Sequence, residues 1–520
     1  MNREELHRRL VKNTLSNYVR TVVAMVVGLV TFRLLYQHFD KEEFGFWSLL
    51  WSVFGYGVLL DFGFGFAAQK RVAELSVQGN WETLSKVLST IIFLYLGVAA
   101  LLTLSVLISA PWLVDAFGVP QQRAAEFRTV MILFFCGIGM AFPMGVYPEI
   151  LRGQQRLQLV NWLITGALII RLGLTLLALH YQWSFVVIMS IALGMSLLPD
   201  FFAAFFALRS MPQVRISWRH CSWQSMRETA AFSVYAYLGT TTNLILSKTD
   251  QLVITSGLGV GAVVLYQAGA KVAEVFRDFT RQVQDALSPA AAHLHASGRG
   301  EDLQELLVGG TRWSIILATP LYLLCASYLE DLLKLLTGDT HLAFETWLTG
   351  QVLLFWYYTT IITHSVSKRI FMMTGHEKKL MWLGVGEAVL NLAVSCTLVW
   401  KFRSVVAVAI GSLIPTLLFG WGFLWPWMAR EAGVGYLALL GRTLVPSLVG
   451  CTGALLLVFV FRWQGWFDHS HVLVRLGVEG TLVALSAIAG TWFSAITRAE
   501  RNILICRLQR RPTAVPTLPV

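Results

Sequence analysis

Three arginines lie inside apolar stretches of the first half of the sequence. Arg171 stands midway along an apolar run with no acidic residue within one helical turn, and Arg20 and Arg33 lie in the first apolar run. An arginine costs about 2.5–3.5 kcal/mol at the centre of a bilayer, and its guanidinium binds phosphate through paired hydrogen bonds. We therefore interpret all three as candidates to bind an anionic substrate. The alternatives are a structural ion pair for Arg171 and snorkelling to the interface for Arg20 and Arg33.

A second group of charges lies along one predicted helix in the second half. At 100° per residue its members fall within about a third of the helix circumference. They are Lys271, Glu274, Arg277, Asp278, Arg281 and Asp285. One interpretation is the hydrophilic wall of a cavity, in which Lys271, Arg277 and Arg281 bind substrate. The other is self-neutralisation, since Asp278 with Arg281 and Arg281 with Asp285 have pairing spacings.

Three acidic residues are candidates to bind a coupling ion, which could be a proton or sodium. Asp250 shares a helix face with Asn243 and Ser247, Glu387 is followed one turn later by Asn391, and Asp278 belongs to the charged helix. Carboxylates inside a membrane span frequently mark ion or proton pathways. They also serve as polar groups in helix packing, and this alternative stays open. No catalytic residue, metal ligand or cofactor is predicted.

The elements that position these residues are membrane-spanning helices. The chain of 520 residues is 56% hydrophobic and 14% charged, with a mean hydropathy of +0.61. Soluble domains have about 25% charged residues. A helical span takes about 20 apolar residues. This rule predicts about 14 spans, near 14–37, 44–64, 87–110, 127–150, 157–181, 184–208, 229–256, 262–288, 311–336, 345–368, 379–400, 404–428, 443–462 and 472–495.

The distribution of basic residues predicts the orientation of these spans. With the N-terminus in the cytoplasm, 26 of the 41 Lys and Arg residues lie in cytoplasmic segments, six lie outside and nine lie within spans. Cytoplasmic loops are enriched in positive charge. We therefore expect both termini on the cytoplasmic side of the membrane. The net charge of +11 is explained by this asymmetry, so we do not expect nucleic-acid binding.

Two turns suggest an internal repeat. The turn at 151–156 resembles the turn at 373–379, and the entry to the second span at 44–47 resembles the entry to the eighth at 264–266. The offsets of 222 and 219 residues predict two six-helix halves and an additional C-terminal pair. The predicted organisation is an N-terminal lobe at 1–208, a cytoplasmic loop at 209–228 and a C-terminal lobe at 229–428. Residues 429–520 would hold an amphipathic stretch, two helices and a basic tail.

Short motifs occur in a fixed order across roughly residues 10–430. They include Phe32-Arg33-Leu34-Leu35, Phe39-Asp40-Lys41-Glu42-Glu43-Phe44-Gly45, Leu59-Leu60-Asp61-Phe62-Gly63, Ile150-Leu151-Arg152-Gly153-Gln154-Gln155-Arg156 and Lys248-Thr249-Asp250-Gln251-Leu252. Their order and spacing resemble those of bacterial polysaccharide flippases in the multidrug/oligosaccharidyl-lipid/polysaccharide exporter superfamily. The resemblance implies two six-helix bundles around a V-shaped central cavity, two more C-terminal helices, and transport by alternating access.

The resemblance further implies the substrate, the location and the partners. The substrate would be an undecaprenyl-pyrophosphate-linked oligosaccharide, carried across the bacterial inner membrane. Partners would be this lipid-linked oligosaccharide, membrane lipids, a polysaccharide polymerase and other export-pathway proteins. Three alternatives remain open: a cation-coupled multidrug antiporter, a flippase for the cell-wall lipid precursor, and a membrane-embedded glycosyltransferase or polymerase. The sequence contains no GxxxxGK[ST] motif, which argues against an ATP-driven pump.

Overall fold

Helices make up nearly all of the chain that the computed structural model describes. The described residues are 3–56, 64–116, 121–154, 156–227, 249–285, 287, 291, 294–295, 300–339, 342–465, 472–498 and 500–502. No strand occurs among them. The motif at 59–63, Lys248, and Asn243 and Ser247 of the helix face predicted for Asp250 lie outside these ranges. The chain divides into two compact units, unit 1 at Met1–Val264 and unit 2 at Leu265–Val520.

Unit 1 contains eight helices of ten or more residues within its described residues, besides a short helical segment at 223–227. They are α1 Arg3–His38, α2 Lys41–Tyr56, α3 Phe64–Gln78, α4 Trp81–Ala116, α5 Ala124–Gly153, α6 Leu157–His180, α7 Phe185–Ser210 and α8 at 249–258. Short 3₁₀ turns lie at Gln121–Arg123, Trp218–His220 and Val260–Ala262. Among the long helices, α4 packs on α5, α5 packs on α7, and α6 packs on α1 and α7.

Unit 2 begins within a charged helix and ends with an apolar pair. Its helices are α9 Val263–Asp285, α10 Gly300–Ser327, α11 Leu329–Thr337, α12 Phe344–Thr360, α13 Val366–Met373, α14 Glu377–Phe402, α15 Val405–Phe419, α16 Trp425–Glu431, α17 Tyr436–Thr443, α18 Val445–Gly450, α19 Thr452–Gln464 and α20 Val472–Ser494. Two five-residue π-turns, Ile361–Ser365 and Gly420–Leu424, join α12 to α13 and α15 to α16.

Ten helices in the described residues are long and apolar enough to cross a membrane. Each corresponds to one of the predicted spans, so this is a multi-pass membrane protein. Four expected spans are not among the ten. The one at 229–256 lies mostly outside the described residues, α2 is described only to Tyr56, α9 carries too many charges, and α12 has 17 residues before a π-turn begins. The exact number of spans therefore stays a prediction.

Two boundaries differ from the sequence prediction. The span expected at 311–336 is two helices, because α10 begins at Gly300 and α11 starts separately at Leu329. The amphipathic stretch expected near the start of 429–520 is not separated from the span that follows it. Its helical part, α17, continues into α18 and α19 as one apolar span at Tyr436–Gln464. Hydropathy locates apolar residues, but it does not detect breaks or continuity of the backbone.

The basic segment after α7 is bound along the start of α4. The backbone N–H of Arg215 donates to Ser85 Oγ at 3.0 Å, and that of Ser217 donates to Ser89 Oγ at 3.1 Å. The N–H of Ser222 donates to Thr90 Oγ1 at 3.0 Å. Hydroxyls of α4 thus satisfy backbone donors of a segment whose own regular structure is one short 3₁₀ turn. The segment at 215–222 is therefore fixed against α4 by hydrogen bonds.

The helix pair around the 151–156 motif depends on a glycine. A Cβ atom on Gly153 would lie 2.6 Å from the carbonyl oxygen of Gln69 and 2.9 Å from Val72 Cβ, so only glycine lets α5 approach α3 this closely. Gly375, its counterpart in the second turn, has open space around it and a positive φ of 79°. The two glycines therefore meet different requirements, one of packing and one of backbone conformation.

Candidate functional site

Arg171 lies in the middle of α6, and it makes no ion pair with a described residue. Its guanidinium carbon lies 6.0 Å from the centre of the Trp51 ring on α2, at the outer limit of a cation–π contact. Its Nε is buried and has no hydrogen-bond partner in the described residues. An arginine at this depth without a carboxylate carries an uncompensated positive charge. Such a group is suited to bind an anion.

Arg20 forms a second cationic position of unit 1, near the turn after α5. Its guanidinium donates to Asn17 Oδ1 at 2.9 Å, and its Nε is buried without a partner among the described residues. Arg152 lies close enough to interact electrostatically with both Arg20 and Asp200. Arg152 itself pairs with Glu149. The region around Arg20 thus contains two cations, Arg20 and Arg152, and Arg152 is the one with a described carboxylate partner.

The other candidates of unit 1 occupy different surroundings. Arg33 is half-buried near the end of α1, and Asp250 on α8 is buried with 4% of its surface exposed. Neither is placed beside Arg20 or Arg171 by a described contact. Their predicted roles in substrate and ion binding therefore stay predictions.

The charged face of α9 is largely neutralised within unit 2. Lys271 Nζ lies 3.2 Å from Glu274 Oε2, and Arg277 Nε lies 2.9 Å from Asp278 Oδ1. Arg277 also donates to the Tyr357 hydroxyl at 3.0 Å and lies over its ring. The opposite face of α9, including Ala273, Phe276 and Thr280, is buried.

Four of these charged side chains, on Lys271, Glu274, Arg277 and Asp278, are 25–48% exposed, and Arg281 is exposed as well. This face therefore points away from the packed interior of unit 2. Such placement agrees with a hydrophilic wall, while the pairing leaves it little net charge.

Glu387 lies at the centre of a buried polar network in unit 2. Its Oε1 accepts a hydrogen bond from Thr416 at 2.9 Å and lies 3.1 Å from His364 Nε2. Its Oε2 accepts from Lys368 Nζ at 3.2 Å. Thr416 Oγ1 in turn accepts from the Trp356 indole N–H at 2.8 Å. Glu387 and His364 are 3% and 2% exposed. The network therefore joins four helical segments through one carboxylate.

The two π-turns of unit 2 create the space for this network. His364 lies in the turn Ile361–Ser365, where the wider helical winding displaces its ring from the regular α-helical position. The second π-turn begins at Gly420, where a Cβ atom would lie 2.5 Å from Thr363 Oγ1 and 2.8 Å from His364 Cε1. Glycine at this position therefore allows the two turns to pack directly against each other. π-Turns frequently mark functional sites.

The sequence indicated Glu387 as a candidate but not its two basic partners. Lys368 belongs to α13, and its ammonium binds this carboxylate. A usable signal was present, because His364 and Lys368 are four residues apart and share one helix face. The carboxylate on another helix could not be assigned to them from spacing alone.

The network is better suited to a proton than to a metal ion. The described residues contain no group of three or more His, Cys, Asp or Glu side chains that could hold a metal. Sodium prefers several oxygen ligands, whereas Glu387 is approached by an ammonium and an imidazole. An imidazole and a carboxylate in contact can share or exchange a proton. The arrangement can therefore change its charge by one without moving a helix.

Comparison with known proteins adds a family and a fold. Residues 10–293 match the family model described as "polysaccharide biosynthesis protein". A sequence comparison with curated proteins gives no significant match.

Among solved structures, the lipid II flippase MurJ in an inward closed conformation is similar with a TM-score of 0.71 at 11% identity, covering 95% of this chain and 100% of that one. An inward-facing multidrug resistance MATE family transporter of the MOP superfamily has a TM-score of 0.61 at 14% identity, covering 84% and 99%. A MOP superfamily transporter from Pyrococcus furiosus has 0.55 at 14%, covering 81% and 95%.

Proposed function

The chain belongs to the polysaccharide biosynthesis protein family, and from this premise we propose that it is a flippase for a lipid-linked oligosaccharide. The proposed substrate is an undecaprenyl-pyrophosphate-linked oligosaccharide, moved across the bacterial inner membrane by alternating access. Both termini would face the cytoplasm, in keeping with the excess of basic residues in that set of loops. A polysaccharide polymerase and other export-pathway proteins would be its partners.

Arg171 is the observation that carries this proposal. It stands mid-span in unit 1 without a carboxylate partner among the described residues, so its charge is available to an anionic ligand. A pyrophosphate offers several oxygens to a guanidinium, which binds them through paired hydrogen bonds. Arg20 supplies a second cation toward the end of the unit that we expect to face the cytoplasm. The polyprenyl tail would stay in lipid while the headgroup is bound.

The charges argue against the antiporter alternative, because an extruder of organic cations needs acidic residues at its binding site. The transport function that is typical of the family favours translocation over glycosyl transfer. A flippase for the cell-wall lipid precursor remains the second candidate, because the structure with a TM-score of 0.71 is a lipid II flippase. Both candidate substrates carry a polyprenyl pyrophosphate, so Arg171 would serve either of them.

An export assay tests the proposal directly. In a host strain that lacks this protein, we expect the wild-type chain to restore surface polysaccharide and Arg171→Gln to restore none. Arg128→Gln is the matched control, since Arg128 is an exposed arginine of the same unit. Equal amounts of the three proteins in the membrane fraction would exclude a folding defect. Full export by Arg171→Gln would contradict the assigned role of this residue.

We further propose that a proton, bound within the Glu387–His364–Lys368 network, is the coupling ion. In proteoliposomes we expect a pH gradient to drive translocation and a sodium gradient to have no effect. Glu387→Gln keeps the shape of the side chain but removes its charge, so we expect it to abolish the dependence on the pH gradient. Sodium-driven transport, or unaltered pH dependence in this variant, would refute the proposal. Asp250 and Asp278 would then be the remaining candidates.

A further inference from the structure

A small cavity opens on the surface of unit 2, apart from the proposed substrate and proton sites. It has a volume of about 340 Å³ and lies between the first turn of α14 on one side and the π-turn Gly420–Leu424 with α16 on the other. Its lining residues are Lys379, Gly422, Phe423, Pro426, Trp427 and Arg430. The wall thus combines two cations with apolar and aromatic groups. No assigned function of the protein uses these residues.

Trp427 forms a rigid floor for this cavity. Its ring stacks on Phe371 with 4.3 Å between the ring centres, and His376 contacts it edge-on at 5.3 Å. The indole N–H donates to Oε1 of Glu431 at 3.0 Å, so this carboxylate of the same helix already has a partner. Lys379 Nζ lies 5.6 Å above the centre of the ring. The floor is therefore fixed from three sides before any ligand binds.

The two cations of the cavity have no acidic partner among the described residues. Lys379 and Arg430 are both exposed, and the Trp427 ring is the one described side-chain partner of Lys379. Phe423 is 56% exposed beside them. The two cations can bind an anionic group, and the exposed aromatic ring beside them can contact a hydrocarbon chain. This combination matches the chemistry of a phospholipid better than that of a soluble anion.

The position of the cavity fits the level of lipid headgroups. Tyr436 is exposed near it, and its ring lies 6.5 Å from that of the buried Trp425, which in turn lies 5.2 Å from the ring of Trp421. Tryptophan and tyrosine concentrate at membrane interfaces, and basic pockets between helices bind anionic headgroups. We propose that this cavity binds an anionic membrane glycerophospholipid, with its phosphate between Lys379 and Arg430 and an acyl chain along Phe423.

Native mass spectrometry of the purified full-length protein with phosphatidylglycerol tests this site. We expect Lys379→Gln and Arg430→Gln each to weaken binding about fivefold, and the double variant roughly 30-fold. Lys401→Gln is the matched control, because Lys401 lies at the other end of α14, also over an aromatic ring. Equal retention of phosphatidylglycerol by the double variant and the wild type would overturn the proposal.

A second variant tests the shape of the cavity and leaves its charges intact. A Cβ atom on Gly422 would meet nothing within 4 Å, so the side chain of Gly422→Leu starts in open space at the cavity wall. We expect it to weaken phosphatidylglycerol binding at least fivefold. Gly477→Leu, at another glycine with open space around it on α20, should have no effect. Unchanged binding by Gly422→Leu would show that lipid does not enter the cavity.

The lipid source is distinguished by two further ligands. Phosphatidylcholine has the same phosphodiester and chains but no net charge, and we expect it to bind at least tenfold more weakly than phosphatidylglycerol. Inorganic phosphate has charge but no chain, and we expect no displacement of lipid at equal concentration. Equal binding of phosphatidylcholine would refute recognition of charge. Displacement by phosphate would indicate a site for a soluble anion and overturn the lipid assignment.

Discussion

The two units treat charge inside the membrane in opposite ways. In unit 1, Arg171 and Arg20 have no carboxylate partner among the described residues. In unit 2, Lys271, Arg277 and Glu387 each have a partner of opposite charge within 3.2 Å. Arg475 also lies between two buried carboxylates, 3.6 Å from Asp331 and 3.8 Å from Glu479. Arg171 and Arg20 are thus left without a compensating carboxylate among the described residues, whereas these cations of unit 2 are neutralised.

This difference indicates that the charged residues of the two units have different functions. An uncompensated cation lowers stability, so its retention mid-span needs a use, and an anionic ligand provides one. A neutralised pair contributes to the fold or changes charge when a proton binds. We therefore expect substitutions in unit 1 to affect binding more than stability. Substitutions in unit 2 should affect stability, or coupling to protons, more than binding of the anion.

The largest effect on stability is expected at Arg475 in unit 2. Arg475→Leu would leave Asp331 and Glu479 buried without a cation, and breaking a buried pair in this way costs about 3–5 kcal/mol. The thermal midpoint of the purified protein should therefore fall by several degrees. Arg475→Lys, which keeps the charge, should recover most of the loss. An unchanged midpoint in Arg475→Leu would show that this cluster does not stabilise unit 2.

An effect of opposite sign is expected at Arg171 in unit 1. Arg171→Leu removes an uncompensated charge from the middle of α6, which should stabilise the protein by about 1–2 kcal/mol after loss of the Trp51 contact. We expect a higher thermal midpoint together with the loss of transport. A fall of the midpoint comparable to that of Arg475→Leu would mean that Arg171 is a structural residue. The contrast between the units would then disappear.

The smallest effect concerns the C-terminal end of unit 2. The Arg312 guanidinium binds the Glu500 carboxylate at 2.9 Å and 3.0 Å. Burial opposes ionisation of Glu500, but hydrogen bonds from Thr497 and Arg312 outweigh it and hold its pKa below the usual value. A carboxyl with a lowered pKa stabilises the fold above its unfolded pKa of about 4.3 and loses this contribution as the pH falls through the folded value.

Arg312→Gln should therefore cost about 1 kcal/mol near neutral pH, because the pair is partly exposed. The difference between variant and wild type should shrink as the pH is lowered below about 4. Thermal midpoints measured across this range check the prediction. A difference that stays constant with pH would show that Arg312 acts through its bonds to the Ala495 carbonyl instead.

Sequence predicted the fold more fully than it predicted the site. Apolar length alone located the ten helices of the described residues that are long and apolar enough to span a membrane, because burial in lipid imposes a composition on each residue window. Arg171 was found in the same way, since its charge stands out against apolar neighbours. Its lack of a described acidic partner could not be predicted, because a partner can come from any other helix.

The network of Glu387 shows equally that partners on other helices cannot be assigned from the sequence. Its partners His364, Lys368 and Thr416 lie on other segments, and their meeting depends on two π-turns that no hydropathy pattern reveals. Residue types thus indicate which buried groups need a partner of opposite charge. Which of these groups have such a partner is decided by tertiary packing alone.

Equilibrium binding of undecaprenyl pyrophosphate to the purified protein tests the central claim most directly. We predict that wild type binds this lipid more tightly than uncharged undecaprenol, and that Arg171→Gln loses about 10- to 100-fold in affinity for the pyrophosphate alone. Binding of undecaprenol should be the same in both proteins. Equal affinity of wild type and Arg171→Gln for undecaprenyl pyrophosphate would contradict the assignment of unit 1 as the unit that binds the anion.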